Sequence, residues 1–139
     1  MKRELEDCKI NIRIKLALLW TTIMFCYIYG DYFDLYVPGK VNGLIVGKNN
    51  LNSPYKLFTA TIILTIPALM IFLSVVLKPM IAKWLNVGVG IFFTVFTLLV
   101  GMSSISEWTI FYVFLSFLES TLTTIVVIMA LKWKRSSIN

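Results

Sequence analysis

Glu119 is the ionisable residue with the most chemistry to offer. It lies eleven residues after Trp108 and thirteen before Lys132, in a stretch that carries no other charge. At 1.5 Å per residue a helix sets it about 17 Å from one end and about 20 Å from the other, near the middle of a ~30 Å hydrocarbon layer. A carboxylate at that depth costs roughly 2.5–3.5 kcal/mol on insertion scales, so it must face other helices, where it is protonated, paired or hydrated. Tyr112, Ser116, Glu119 and Thr123 recur at helical spacing with Ser120 beside them, a polar stripe on an otherwise apolar helix. Two chemistries fit this pattern. One is a proton- or cation-binding carboxylate on a transport path; the other is a protonated acid hydrogen-bonded to a neighbouring helix as a structural clamp.

A second acidic pair stands at the end of the first apolar run. Trp20, Met24, Tyr27, Asp31 and Asp34 share one helical face, and Asp31 sits about 24 Å along from Lys15, still within a ~30 Å core. The pair reads as an outer vestibule that concentrates cations. The alternative is charge pairing with Lys40, Lys48 or Lys56, which follow in the next connection.

Other chemistry is excluded by composition. Histidine is absent, and the two cysteines, Cys8 and Cys26, form no C-x-x-C pair. Histidine-ligated haem, most zinc and copper sites, Ser-His and Cys-His catalysis and a thiol relay are therefore ruled out. No nucleophile–base pair, metal set or phosphate loop is visible. The expectation is no metal, no cofactor and no enzyme; an intramembrane enzyme acting on a lipid or quinone ranks last among the readings.

The elements that must position these residues follow from hydropathy. Of the 139 residues, 58% are hydrophobic and 14% charged, with a mean hydropathy of +0.83. Soluble domains run nearer 45–50% and about 25%. Four apolar runs predict transmembrane helices over about 14–35, 55–77, 84–102 and 107–131 in a single membrane domain, 1–139. The fold class is all-α, a polytopic antiparallel four-helix bundle. Ser53 and Pro54 open the second run as N-cap and first helical residue; Lys78 and Pro79 close it. Trp84, Trp108 and Trp133 mark run ends at headgroup depth. The first connection, 36–54, is long and rich in turn residues, and its apolar stretch 41–46 can lie on the bilayer surface or fold back over the helix ends. The third connection, near 103–107, is a tight turn that makes the last two helices antiparallel neighbours. Gly90, Thr94, Thr97 and Gly101 form a small-residue stripe that admits another backbone. Pro67, with Thr61 and Thr65 nearby, frees the carbonyl of Ile63 and predicts a kink, read mainly as architecture. Phe92, Phe93 and Phe96 are read as lipid-facing or core.

Orientation follows from the thirteen lysines and arginines. Ten (Lys2, Arg3, Lys9, Arg13, Lys15, Lys78, Lys83, Lys132, Lys134, Arg135) fall on one side, and Lys40, Lys48 and Lys56 on the other. The positive-inside rule then places both termini in the cytoplasm. The net charge of +6 is a topology signal, not a nucleic-acid footprint, because the short flanks carry no aromatic-interleaved basic surface. Membrane lipids, and a second copy of the chain in a homo-oligomer, are the expected partners.

The string from Leu19 to Asp31 (LWTTIMFCYIYGD), followed by Pro38-Gly39, and the combination of Glu119 with the Lys132-Trp133-Lys134 tail resemble a family of small uncharacterised bacterial membrane proteins. The resemblance spans essentially the whole chain. It implies four helices and a location in the bacterial cytoplasmic (inner) membrane, and carries no activity. Function is thus expected to be a small proton- or cation-linked transporter or channel subunit using Glu119, Asp31, Tyr27, Tyr112, Ser116 and Thr123. The alternative is a structural or accessory membrane subunit.

Overall fold

The computed structural model describes residues 8–134. All of its regular structure is helical: α1 (Ile12–Asp34), α2 (Lys40–Ile45), α3 (Pro54–Val76), α4 (Pro79–Ser103) and α5 (Ile110–Lys132). The four long helices are of 23 to 25 residues. At 1.5 Å per residue they reach about 35 Å, enough to cross a ~30 Å core. The chain is a multi-pass membrane protein with four apolar helices.

Helix starts follow local chemistry. The Asn11 side chain accepts from the Arg13 amide at 3.0 Å and caps α1. Ser53 caps α3 in the same way, accepting from the Lys56 amide at 3.3 Å, with Pro54 in the first turn. Helix α4 begins at Pro79 rather than 84, so the expected connection over 78–83 shrinks to Leu77 and Lys78. A proline in the first helical turn loses no backbone bond, and the Lys83 ammonium is accommodated inside α4 by the end of α5. It donates to the Leu131 and Trp133 carbonyls at 3.1 and 3.0 Å. Arg13 does the same for α3, donating to the Val75 carbonyl at 3.0 Å while lying over the Trp133 ring. Cations thus meet the partial negative charge of two helix C-termini at one end of the bundle. Lys2, Arg3 and Arg135 of the orientation argument lie outside the described residues.

The first connection holds the one-and-a-half-turn helix α2, entered through Gly39 and left through Gly47, at φ of +80° and +69°. Glycine takes that left-handed conformation without steric cost. Helix α2 buries none of its residues, and Val41, Leu44 and Ile45 are exposed. A short 3-10 turn, Glu107–Thr109, precedes α5, and the Thr109 hydroxyl there donates to the Ser104 carbonyl.

Helix α1 packs on α3 and α5, and α4 packs most extensively on α5 and less on α3, closing a ring of four. Leu16, Trp20, Ile23, Met70, Phe93 and Val126 form the buried core. Phe93 reaches across the ring to α1, its centroid 6.3 Å from that of Trp20 and 6.2 Å from that of Tyr27. Phe92, by contrast, is exposed on the outer surface. A β-carbon on Gly90 would fall 2.7 Å from a Val127 methyl, and one on Gly101 2.7 Å from Ser116 Cβ. Those glycines let α4 and α5 approach closely over three turns, with the Thr94 and Thr123 hydroxyls bonded between them at 2.7 Å. Pro67 is buried within an α3 that runs through it unbroken.

Candidate functional site

Along the bundle axis the polar residues divide into two groups. In the half that holds the α1 N-terminus they are satisfied. The Trp20 indole donates to Asn86 Oδ1 at 2.7 Å, and the Asn86 amide donates to Ser74 Oγ at 3.1 Å and to the Ala82 carbonyl at 2.8 Å. Trp20, Asn86 and Ser74 are all fully buried. This network joins α1, α3 and α4. The sequence reading missed it, although Asn86 extends the Gly90–Thr94–Thr97–Gly101 stripe one turn further and could have been found there.

In the other half the helices do not close. A cavity of about 200 Å³ is lined from α1 by Tyr27, Gly30 and Asp31 and from α5 by Tyr112, Leu115, Ser116 and Glu119. Helices α3 and α4 complete it with Ala60, Ile63 and Leu64 and with Phe96, Thr97 and Val100. Five of the six residues expected on a polar path therefore meet at one place: Glu119, Asp31, Tyr27, Tyr112 and Ser116. Thr123 does not reach it. Its hydroxyl serves the α4–α5 seam, bonded to Thr94 and to the Glu119 carbonyl. Asp34 is also elsewhere, in an ion pair with Lys40, the pairing that the spacing allowed as an alternative to a vestibule. Thr61 and Thr65 donate to carbonyls of their own helix and are exposed, away from the cavity.

Glu119 is 6% exposed, and among the described residues its carboxylate has no hydrogen bond and no ion pair. The interhelical bond that a clamp requires is not made. The Tyr27 hydroxyl on the same cavity wall is buried and likewise has no partner. Native interiors rarely leave such groups unpaired, since each costs about 1–3 kcal/mol. Asp31 is exposed at the cavity rim. Thr97, read from sequence as packing, faces the cavity with its hydroxyl bonded to the Phe93 carbonyl at 2.9 Å.

Comparison with known families bears on the whole chain. A family model described as a family of unknown function (DUF6326) matches residues 5–139. The chain belongs to this family. No curated protein and no solved structure matches it. For this DUF6326 member the argument about activity therefore rests on the cavity.

The cavity carries two carboxylates, three further hydroxyl-bearing residues from α1 and α5, and no lysine or arginine. Among the described residues no three His, Cys, Asp or Glu side chains gather as a metal site. The lining thus offers acceptor and hydroxyl groups beside hydrocarbon, and no fixed positive charge.

Proposed function

We propose that this chain is a small transporter or channel component that binds a proton or cation at Glu119, within a cavity reached from the end of the bundle where α2 lies. The observation that carries the reading is the buried, unpartnered Glu119 carboxylate on the cavity wall. A structural glutamate would be expected to hold another helix; this one contacts open space shared with Tyr27, Tyr112 and Asp31. The sealed half, with Trp20, Asn86 and Ser74, would then be the barrier that a transport cycle has to open.

By the charge bias of its flanks both termini lie inside and the cavity faces out; by the family resemblance the membrane is the cytoplasmic membrane of a bacterium. Lipid covers the exposed apolar faces of α1, α3, α4 and α5. No catalytic step belongs to this reading.

The test is proton and alkali-cation flux in liposomes containing the full chain. Glu119→Gln keeps side-chain shape and hydrogen-bonding capacity, so it should fold and should abolish pH-dependent flux. Glu119→Leu should also be inactive, and at least as stable as the parent, because it removes a buried polar group that bonds to nothing. A Leu variant that is clearly destabilised, beside a Gln variant with unchanged flux, would return Glu119 to the role of a clamp.

A further inference from the structure

The cavity's size and walls say more about its occupant than its charge does. This rests on reading the cavity as a cation site. We propose that the occupant is a small organic ammonium ion with an apolar body, rather than a bare metal ion.

Three observations converge. First, volume: about 200 Å³ is many times what a monatomic cation fills, and somewhat above the ~150 Å³ of an apolar protein cavity that accepts benzene. A desolvated alkali or alkaline-earth ion needs close oxygens on most sides, six to eight for calcium. Here much of the wall is hydrocarbon, from Ala60, Ile63, Leu64, Val100 and Leu115. These side chains offer dispersion and the hydrophobic effect to a carbon skeleton and nothing to a metal ion.

Second, aromatic rings enter from three of the four long helices: Tyr27 from α1, Phe96 from α4 and Tyr112 from α5. Ring faces attract organic cations, methylated ammonium groups above all, and the attraction grows as the site is desolvated. Third, the acidic groups have no basic neighbour. Lys40 is taken up by Asp34, and the cavity that Asp31 and Glu119 line has no lysine or arginine in its wall, so a cation entering it meets no competing positive charge. The Glu119 carboxylate, which faces the cavity, and the buried Tyr27 hydroxyl, which has no partner, are the polar anchors a ligand would complete. The ammonium group would lie toward Glu119, with the apolar body against α3 and the Phe96 and Tyr112 rings.

Isothermal titration of the full-length protein in detergent, with benzyltrimethylammonium as the probe, tests this directly. Its charge is permanent, so its own protonation does not enter. Expected are saturable 1:1 binding, at least about tenfold weakening in Glu119→Gln as the charge pair is lost, and several-fold weakening in Tyr112→Leu, which keeps both carboxylates and removes one ring. Benzyl alcohol, with the same ring and no charge, should not displace the probe, nor should sodium or potassium at equal ionic strength. Should Glu119→Gln fail to fold, Asp31→Asn at the exposed rim takes its place, with weakening expected again. Absence of saturable binding overturns the proposal, as does binding that Tyr112→Leu leaves unchanged or that alkali cations displace. The two readings fail separately. Glu119-dependent alkali or proton flux without probe binding refutes the ligand class and leaves the cation site; probe binding without flux of any cation refutes transport and leaves the ligand class.

Discussion

Replacing Asn86 with Leu is expected to destabilise the protein through a residue on another helix. Trp20 Nε1 and Asn86 Oδ1 are 2.7 Å apart, both side chains are 0% exposed, and the indole N–H has no other acceptor among its hydrogen bonds. Asn86→Leu keeps the branched shape at roughly 50 Å³ more volume, strands that donor and removes the partner of the buried Ser74 hydroxyl, for a loss of about 1–3 kcal/mol. Polar pairs within membranes average nearer 0.6 kcal/mol, because the unfolded chain in lipid also finds partners, so the lower part of the range is expected. Trp20→Phe works differently. It removes the donor, leaves Asn86 bonded to Ser74 and Ala82, and opens roughly 40 Å³, worth about 1 kcal/mol at ~24 cal/mol per Å³. In the double variant no indole N–H remains to be stranded. Its loss should therefore fall short of the sum of the singles by about 1 kcal/mol, well outside the ~0.3–0.5 kcal/mol scatter of independent sites. Equilibrium unfolding in mixed detergent, followed by helical circular dichroism, measures all four proteins. Strict additivity, or a neutral Asn86→Leu, would refute the view that this bond ties α1 to α4.

Three further expectations concern the frame. Gly90→Leu and Gly101→Leu should each lower yield and thermal stability in detergent by about 1–3 kcal/mol or more, since even a β-carbon would fall 2.7 Å from Val127 or Ser116; unchanged melting of both would mean that the α4–α5 seam yields readily. Asp34→Asn should cost no more than about 1 kcal/mol, as expected for an ion pair with a partly exposed partner, and should leave cation binding intact; a large loss of binding would put Asp34 back in the vestibule. Cysteine labelling in intact cells should find positions 38–55 accessible from outside and 78–83 only after permeabilisation, and an accessible C-terminus would overturn the assigned orientation.

The architecture was legible because membrane helices announce themselves by length and by what bounds them. The Ser53-Pro54 pair and the tight turn before α5 are local signals that tertiary packing had no reason to override. The start of α4 was not, because Lys83 reads as a boundary charge in one dimension; only the α5 carbonyls beside it explain why a lysine belongs inside the helix. The cavity was half legible. Helical spacing collected Tyr112, Ser116 and Glu119 on one face and Tyr27 with Asp31 on another, and the fold turned the two faces toward each other. Spacing does not report how far a stripe stays in the same environment, however. Thr123, one turn beyond Glu119, passes from the cavity to the Gly90 seam, and Asp34, one turn beyond Asp31, passes to Lys40. The apolar contribution of α3 was invisible, since Ala60, Ile63 and Leu64 differ in no way from lipid-facing residues until a partner is known.

The contrast between the two halves of the bundle carries the functional argument further than either half alone. A scaffold gains nothing from leaving polar groups unpaired in a low-dielectric interior, and this fold demonstrably pairs them where it packs tightly: Trp20 with Asn86, Asn86 with Ser74, Thr94 with Thr123. The same four helices, a few turns along, leave the Tyr27 hydroxyl without a partner and turn the Glu119 carboxylate, which among the described residues makes no hydrogen bond, onto an open volume. Poor packing as such does not account for that, because Gly101 brings α4 hard against α5 at the level of Ser116, beside the cavity wall. The opening instead lies between the closely packed α4–α5 pair and the α1–α3 pair, where α3 makes its looser approach to α4. A site at the junction of two such pairs can change its access by a small relative movement of the pairs, with the Trp20–Asn86 bond as the tie that resists it. On that argument Asn86→Leu should do more than lower stability: it should raise the leak of the probe cation through the bundle, an effect that a merely packing role for the network would not produce.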